Sequence, residues 1–215
     1  MCMRIVSIRK KDDENVIIKL DDSQQLIISV DTLFKSGLKK DDEISEDRYT
    51  LLIESNISYH IKKKALSFLA RRAHTEKELL IKLKTKSYNE NLIKSVIKEL
   101  RNLSFINDRE FAVQFVNEKS QRNKWGKLKI KSALISKGIN YKIIDEVLSA
   151  AGLEELELNR INELVIKKYS ILKKRETDEK KIIRKLISFL VGRGYNYELA
   201  SNAVRKIIKT DFIDS

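Results

Sequence analysis

Apolar residues in the middle of the chain recur at helical spacing on both sides of a glycine. From Leu128 to Leu148 the sequence reads LKIKSALISKGINYKIIDEVL, with one apolar helix face before Gly138 and another after it. Glycine adopts the left-handed conformation without a Cβ clash and therefore often ends a helix. Asn140 lies where its side-chain oxygen would cap the next helix. The pattern predicts a helix, a tight turn and a second helix.

The same unit occurs twice more in the chain. One copy is centred on Ser87, fifty-one residues upstream of Gly138, and the other on Gly194, fifty-six residues downstream. In each copy a basic residue precedes the turn residue, and an Asn follows it two positions later. Chance agreement between amphipathic helix pairs is the alternative, and the matched turn residues argue against it. The sequence therefore predicts a threefold internal repeat.

Each copy has a further helical pattern before this unit, so we expect three helices per repeat and nine in all. Thr75 and Glu78 have the spacing of a capping box at the second helix of the first repeat. The second repeat opens with Asn107 or Asp108 as the helix cap. The third opens with a helix from about 154 to 174, which would be about 30 Å long.

The first thirty residues have a different pattern. β-Branched runs at 4–8, 15–20 and 26–30 are separated by charged turns, which predicts a three-stranded meander. A short helix capped by Asp31 and ending at Gly37 should follow, and residues 47–58 begin a long helix or form a linker. Pairs of Asp in this region fit turn chemistry better than metal binding. The expected domains are 1–55, 56–105, 106–153 and 154–215, the first β-rich and the others three-helix repeats.

Composition narrows the class of protein. The 215 residues include no Pro and one Cys, which suits a mostly helical body and excludes a disulfide framework. Neither a metal-binding Cys/His spacing nor an apolar run long enough for a membrane span is present. No cofactor is indicated. We expect a soluble, cytoplasmic protein.

The net charge of +13 is unevenly distributed. Residues 1–55 carry a net charge of −3, residues 56–153 carry +12, and residues 154–215 carry +4. A lysine-rich coding bias would raise Lys everywhere, including the acidic first segment. The distribution therefore favours a polyanion-binding surface on the first two repeats.

Several motifs resemble those of RecX-family regulatory proteins. The matching segments are Ala65-Leu66 to Arg71-Arg72, Thr75-Glu76-x-Glu78-Leu79, Phe105-Ile106-Asn107-Asp108-x-x-Phe111-Ala112 and Trp125-Gly126-x-x-x-Ile130. The resemblance is strong across about 60–150 and weaker in the third repeat, and Ser87 replaces the usual glycine.

The resemblance implies a mainly α fold of three tandem three-helix repeats in an elongated, curved body behind a small N-terminal β-meander. It also implies a non-enzymatic, monomeric negative regulator of the RecA recombinase. Such proteins bind the groove of the RecA–single-stranded DNA filament. They restrain recombination, ATP turnover and the co-protease activity of the SOS response, and some members bind single- or double-stranded DNA directly.

Basic residues near the turns and helix starts of the first two repeats are the candidate DNA- and RecA-binding residues. Arg71 and Arg122 occupy matching positions, and guanidinium groups bind phosphate bidentately. About six phosphate contacts would reduce affinity roughly a thousandfold between 50 and 200 mM salt. A solvated helix face is the alternative for each lysine. The full set is Arg71, Arg72, Lys84, Lys86, Arg122, Lys124, Trp125, Lys127, Lys129, Lys131 and Lys137.

Trp125 is the single tryptophan and has two candidate roles. It could stack on an unpaired base or the partner, or it could fill the core between repeats, as its match His74 suggests. The core role is favoured.

Two other classes of function are alternatives to a RecA regulator. Helix-turn-helix units could place a helix in the major groove, which would make the chain a DNA-binding regulator that acts without RecA. An enzyme such as a nuclease would need a catalytic or metal-ligand set, and the sequence has neither a Ser/His/Asp arrangement nor a Gly-rich phosphate loop. The acid pairs Asp145-Glu146 and Glu154-Glu155 have no metal-binding context.

Overall fold

The computed structural model describes residues 2–213, apart from the side chains of residues 154–156 and 210–213. The chain divides into two compact units, Met1–Ile106 and Asn107–Ser215. The predicted fold class is confirmed, with a small antiparallel sheet at the N-terminus and helices throughout the rest of the described chain.

The N-terminal sheet contains the predicted meander and one further strand. Strands β1 (Cys2–Lys10), β2 (Asn15–Leu20) and β3 (Gln25–Ser29) are antiparallel neighbours. A short strand β4 (Glu43–Ser45) pairs with the start of β1 and gives the order β3-β2-β1-β4. The sequence therefore predicted one strand too few. Strand β4 was missed because it has only one apolar residue, Ile44, and forms by pairing with a distant segment.

Helix α1 (Val30–Ser36) follows β3 and ends at Gly37, as predicted. Its cap is Ser29 rather than Asp31, because the helix begins two residues earlier than expected and the Ser29 hydroxyl accepts the Thr32 amide. Asp31 lies in the first turn and pairs with Lys35 at 2.8 Å.

Helix α2 (Glu46–Leu69) connects the sheet to the first repeat. Of the two alternatives for residues 47–58, the structure therefore shows the helix. Leu52 packs in the core of the sheet, whereas Ile61 and Ala65 pack in the core of the first repeat. Asn56 also contacts the sheet, since its side chain accepts the Ser29 amide at 2.9 Å.

Three groups of helices follow the predicted repeats. Repeat 1 comprises the end of α2, α3 (Glu76–Lys84) and α4 (Glu90–Asn102), and repeat 2 comprises α5 (Asp108–Gln121), α6 (Lys127–Ser136) and α7 (Tyr141–Ala150). Repeat 3 comprises α8 (Leu153–Lys173), α9 (Glu179–Gly192) and α10 (Tyr197–Ile213). Each repeat has its own cluster of buried apolar side chains. The nine predicted repeat helices are present, and α1 is a tenth within the described residues.

The turn between the second and third helices has the same backbone conformation in all three repeats. Ser87, Gly138 and Gly194 have φ values of 59°, 84° and 88°. The asparagine two residues later then accepts an amide at the start of the third helix, as the bonds of Asn89, Asn140 and Asn196 show. The turn chemistry that defined the repeat in the sequence is therefore the chemistry that ends one helix and begins the next.

Candidate nucleic-acid interface

The two loops that carry the candidate arginines begin at matching helix ends. Arg71 and Arg72 follow α2, and Arg122 ends α5. Arg72 pairs with Glu78 of α3 at 2.9 Å and donates to the backbone carbonyl of Ala73. Its guanidinium therefore fixes the α2–α3 loop. Arg71 and Arg122 are exposed and have no ion pair or side-chain hydrogen bond with the residues described here, which leaves both guanidinium groups available to a ligand.

The capping box at the start of α3 is confirmed in its first half. Thr75 is buried and accepts the Glu78 amide at 3.1 Å. The second repeat uses Asn107 as its cap, and Asn107 accepts the Glu110 amide at 3.0 Å. The alternative cap, Asp108, lies in the first helical turn, where a negative charge is favourable.

Trp125 lies on the surface of the repeat 2 core in contact with cations. Its ring is partly buried and lies at the edge of Phe115, which stacks on Phe111 at a centroid distance of 6.0 Å. We call Phe111, Phe115 and Trp125 the aromatic row. The lysine ammonium groups of Lys119 and Lys129 lie 5.6 and 4.7 Å from the centroid of Trp125.

Lys137, at the end of α6, lies over the other part of the aromatic row. Its ammonium group is 5.4 Å from the Phe111 centroid and 5.5 Å from the Phe115 centroid. The structure thus brings Trp125, Lys129 and Lys137 together on one side of repeat 2. Cations above aromatic faces contribute about 0.5–1 kcal/mol each at exposed sites.

Lys131 lies elsewhere on the same helix. Its ammonium group pairs with Asp145 of α7 at 2.7 Å, so it is separate from the lysines of the aromatic row. The neighbouring carboxylate, Glu146, pairs with Arg109 at 3.7 Å. The second acid pair named in the sequence, Glu154-Glu155, has side chains outside the described residues. No three His, Cys, Asp or Glu side chains that the structure describes are grouped as metal ligands.

Other candidate lysines are paired with acids on the surface. Lys84 bonds to Glu90 at 2.6 Å, and Lys124 lies 3.8 Å from Glu163. The hydrogen bonds from Lys84 and Lys94 lower the pKa of Glu90 to about 2. Lys86 is exposed and has no such partner in the described part of the chain. Exposed ion pairs contribute about 0–1 kcal/mol, so a phosphate could replace the carboxylate in each.

The loop around Trp125 also joins repeat 2 to repeat 3. The amide of Gly126 donates to the carbonyl of Arg193 at 2.9 Å, and the amide of Leu128 donates to that of Gly194 at 3.1 Å. The Tyr195 hydroxyl donates to the Lys124 carbonyl at 3.0 Å. Lys129 donates to the carbonyl of Gly192 at 3.0 Å. This loop therefore has a structural role as well as a candidate binding role.

Helix α6 is capped from another repeat. Its cap residue, Gly126, has no side chain to accept an amide, and the carboxylate of Glu157 in α8 accepts the Lys127 amide at 2.8 Å. Glu157 is 6% exposed. A negative charge at a helix N-terminus is stabilising. This pair was not predictable from the sequence, because thirty residues separate its members.

Two further pairs of a cation and an aromatic ring were not predicted from the sequence. Lys64 and Phe68 on α2, and Phe115 and Lys119 on α5, are four residues apart and lie on one helix face. The spacing could have identified them, because side chains four residues apart in a helix are neighbours.

The whole chain matches one family of proteins. Models described as the first, second and third three-helix domains of RecX match residues 62–100, 107–148 and 154–204. A regulatory protein RecX of Clostridium acetobutylicum is 36% identical over 203 residues, which is 94% of each chain. The chain belongs to the RecX family. The regulatory protein RecX of Clostridium beijerinckii is 35% identical, over 99% of this chain and 98% of the relative. That of Clostridioides difficile is 32% identical, over 96% of this chain and 95% of the relative.

Solved RecX structures have the same fold. The crystal structure of a regulatory protein RecX gives a TM-score of 0.77 at 20% identity, and covers 95% of this chain and 99% of that one. The crystal structure of RecX from Lactobacillus salivarius gives a TM-score of 0.62 at 22% identity, and covers 71% of this chain and 97% of that one. Each helix in the described part of this RecX-family chain is too short or too polar to span a membrane.

Proposed function

We propose that this chain is a negative regulator of the RecA recombinase that acts by binding rather than by catalysis. It would bind in the groove of the RecA–single-stranded DNA filament and restrain recombination, ATP hydrolysis and co-protease activity in the SOS response. Membership of the RecX family supports this proposal most strongly, since the relatives are named regulatory proteins. We further propose that it acts in the cytoplasm as a monomer.

The surface chemistry supports contact with a nucleoprotein. Arg71, Lys86 and Arg122 are exposed without ion pairs or side-chain hydrogen bonds to the described residues. Lys129 and Lys137 lie over aromatic rings that a nucleic-acid base could contact. Cations of this kind bind phosphates or the carboxylates of a protein partner.

The test is RecA's single-stranded-DNA-dependent ATPase, measured with RecA from the same cell. We expect the rate to fall when the protein is added at or below the RecA concentration. An unchanged rate at equimolar protein would contradict the proposal. A DNA-binding regulator that acts without RecA would instead show affinity that depends on duplex sequence in a gel-shift series.

A pair of double variants separates surface charge from general damage. Arg71→Glu with Arg122→Glu should weaken suppression of the ATPase, because two exposed guanidinium groups become carboxylates. Arg9→Glu with Lys40→Glu makes the same change of charge on exposed residues of the sheet region and should suppress as the wild type does. Equal effects from both pairs would show that net charge alone governs suppression.

A further inference from the structure

An open cleft in repeat 3 has a strongly cationic lining. It has a volume of about 550 Å³ and lies between α8 and α9. Its lining consists of four cations, one hydroxyl and one aromatic ring, contributed by Lys168, Lys181, Arg184, Lys185, Ser188 and Phe189. None of these residues is among the predicted binding residues, all of which belong to repeats 1 and 2.

Two cations lie close to the ring of Phe189. The Lys168 ammonium group is 5.5 Å from the ring centroid, and the Arg193 guanidinium carbon is 4.8 Å from it. Phe189 is partly buried and packs against the core of repeat 3, which fixes its position. The cleft therefore offers an anchored aromatic surface with positive charge beside it.

Repeat 1 has the same pair with the residue types exchanged. In repeat 1 the ring is Phe68 on the first helix, and Lys82 on the second helix lies 4.8 Å from its centroid. In repeat 3 the first helix supplies Lys168 and the second supplies Phe189. The two pairs occupy matching positions, because the buried residues around them align between the repeats. Ile61, Ala65, Leu79 and Leu83 of repeat 1 correspond to Ile161, Val165, Leu186 and Leu190 of repeat 3.

Repeat 2 also has a cation over an aromatic ring, but different residues form the pair. Lys119 occupies the position of Phe68 and Lys168, and its ammonium group lies 5.4 Å from the centroid of Phe115. Repeats 1 and 3 thus each present an aromatic ring beside a cation at the contact of their first two helices, whereas the pair of repeat 2 lies within α5.

The cations of the repeat 3 cleft are accessible. Arg184 is exposed and has no ion pair or side-chain hydrogen bond with any residue whose side chain is described. Lys185 pairs with Glu176 at 2.9 Å and Lys181 with Asp178 at 3.9 Å, and all four of these side chains are partly exposed. Such pairs contribute little to stability, so both lysines can turn to a ligand.

We propose that the α8–α9 cleft binds single-stranded nucleic acid, with phosphates on Arg184, Lys181 and Lys185 and a base against Phe189. This inference rests on the proposed function, because it makes the cleft a contact for the strand of a nucleoprotein filament. An acidic peptide would use the cations and not the ring. A single strand uses both, since every base has a flat face and every linkage a phosphate.

The test measures binding of a fluorescent oligothymidylate to the full chain without RecA, as a function of salt concentration. Arg184→Glu should weaken binding and reduce the slope of log K against log salt by about 1. The matched control is Arg205→Glu, the same substitution on an exposed arginine of α10, and it should leave both quantities near the wild-type values. Equal effects of the two substitutions, or no binding by the wild type, would overturn the proposal.

A second substitution tests the base contact. Phe189→Leu keeps apolar volume against the core but removes the ring. It should weaken oligothymidylate binding by about fivefold or more, and binding of an abasic oligonucleotide of the same length much less. Equal losses for the two oligonucleotides would exclude base stacking. A polyglutamate peptide that binds as tightly as oligothymidylate would identify a protein partner instead and overturn the assignment.

The RecA ATPase measurement keeps the two proposals distinct. If Arg184→Glu leaves oligonucleotide binding unchanged while the wild type suppresses ATP hydrolysis, the cleft assignment fails and the RecA regulator remains. If the cleft binds oligonucleotide as expected and the wild type leaves ATP hydrolysis unchanged, the proposed function fails.

Discussion

Gly126 and Gly194 lie in backbone contact although sixty-eight residues separate them in the sequence. A Cβ atom on Gly126 would overlap the carbonyl group of Gly194, and a Cβ on Gly194 would overlap Lys129. The absence of both side chains lets two backbone amides at the start of α6 donate hydrogen bonds to carbonyls of the turn before α10. The contact between repeats 2 and 3 therefore depends on two glycines.

Substituting Gly126 should destabilise the chain. Gly126→Ala places a methyl group against backbone that cannot move aside without breaking hydrogen bonds, and overpacking of this kind costs about 1–3 kcal/mol. Gly192→Ala is the control, since a Cβ there meets nothing within 4 Å and the residue lies at the end of α9. Urea denaturation would measure the free energy of unfolding of both variants. A loss for Gly192→Ala equal to that for Gly126→Ala would contradict the steric explanation.

The Tyr195 hydroxyl should contribute measurably to the same contact. Tyr195 is 1% exposed, and burial raises its pKa, in keeping with a hydroxyl that remains protonated and donates to the Lys124 carbonyl. Tyr195→Phe should lower the free energy of unfolding by about 0.5–1.5 kcal/mol. Tyr197→Phe, at an exposed ring, should change it by less than about 0.5 kcal/mol. Equal values in thermal or urea unfolding would show that the hydrogen bond has no net effect.

The turn of repeat 1 should be improved by glycine. Ser87 has a φ of 59°, a conformation that costs a residue with a Cβ about 1–2 kcal/mol. Ser87→Gly would remove this cost, but the greater freedom of glycine in the unfolded chain offsets part of the gain. The substitution should therefore stabilise the chain by about 1 kcal/mol or less. Ser95→Gly, within α4, should destabilise by about 0.5–1 kcal/mol. Destabilisation by both changes would show that Ser87 makes a favourable contact that glycine loses.

His74 should make the stability of the chain depend on pH near neutrality. Its side chain is buried, Nδ1 donates to the Arg72 carbonyl at 2.9 Å, and Nε2 has no partner. Burial lowers the pKa of His74, and the charges of Arg72 and Lys82 act in the same direction. The unfolded chain then binds a proton more readily than the folded chain, so stability falls as pH drops below about 6.5.

The measurement is the free energy of unfolding at pH 7.5 and at pH 5.5. His74→Phe keeps a ring beside Phe68 and removes the titrating group. The variant should lose less stability than the wild type between the two pH values. An equal loss in both proteins would assign the pH dependence to other groups.

Helix starts and turns were predictable because they depend on residues close in the sequence. Asn89, Asn140 and Asn196 each accept an amide within the next two residues, and each follows a turn residue with positive φ. Their spacing therefore shows the repeat directly. Strand β4 was missed because three residues carry little pattern and their pairing partner in β1 lies about forty residues away.

The candidate binding residues were predicted from their charge and their position in the repeat. The contacts that their side chains make were not predicted. The sequence does not show that Lys131 pairs with Asp145 while Lys129 lies over Trp125, because both lysines have similar neighbours along the chain. Nor does it show that Phe189 and Lys168 meet, since they belong to different helices. Each of these contacts depends on how helices pack.

The sequence by itself determined the helical class, the threefold repeat, the caps and turns and the distribution of charge, because each follows from side chains within a few residues of one another. Only the packing of the helices shows that Lys168 lies over Phe189, that Glu157 caps α6 and that the backbones of Gly126 and Gly194 meet. These contacts join segments about twenty to seventy residues apart, which local chemistry does not specify.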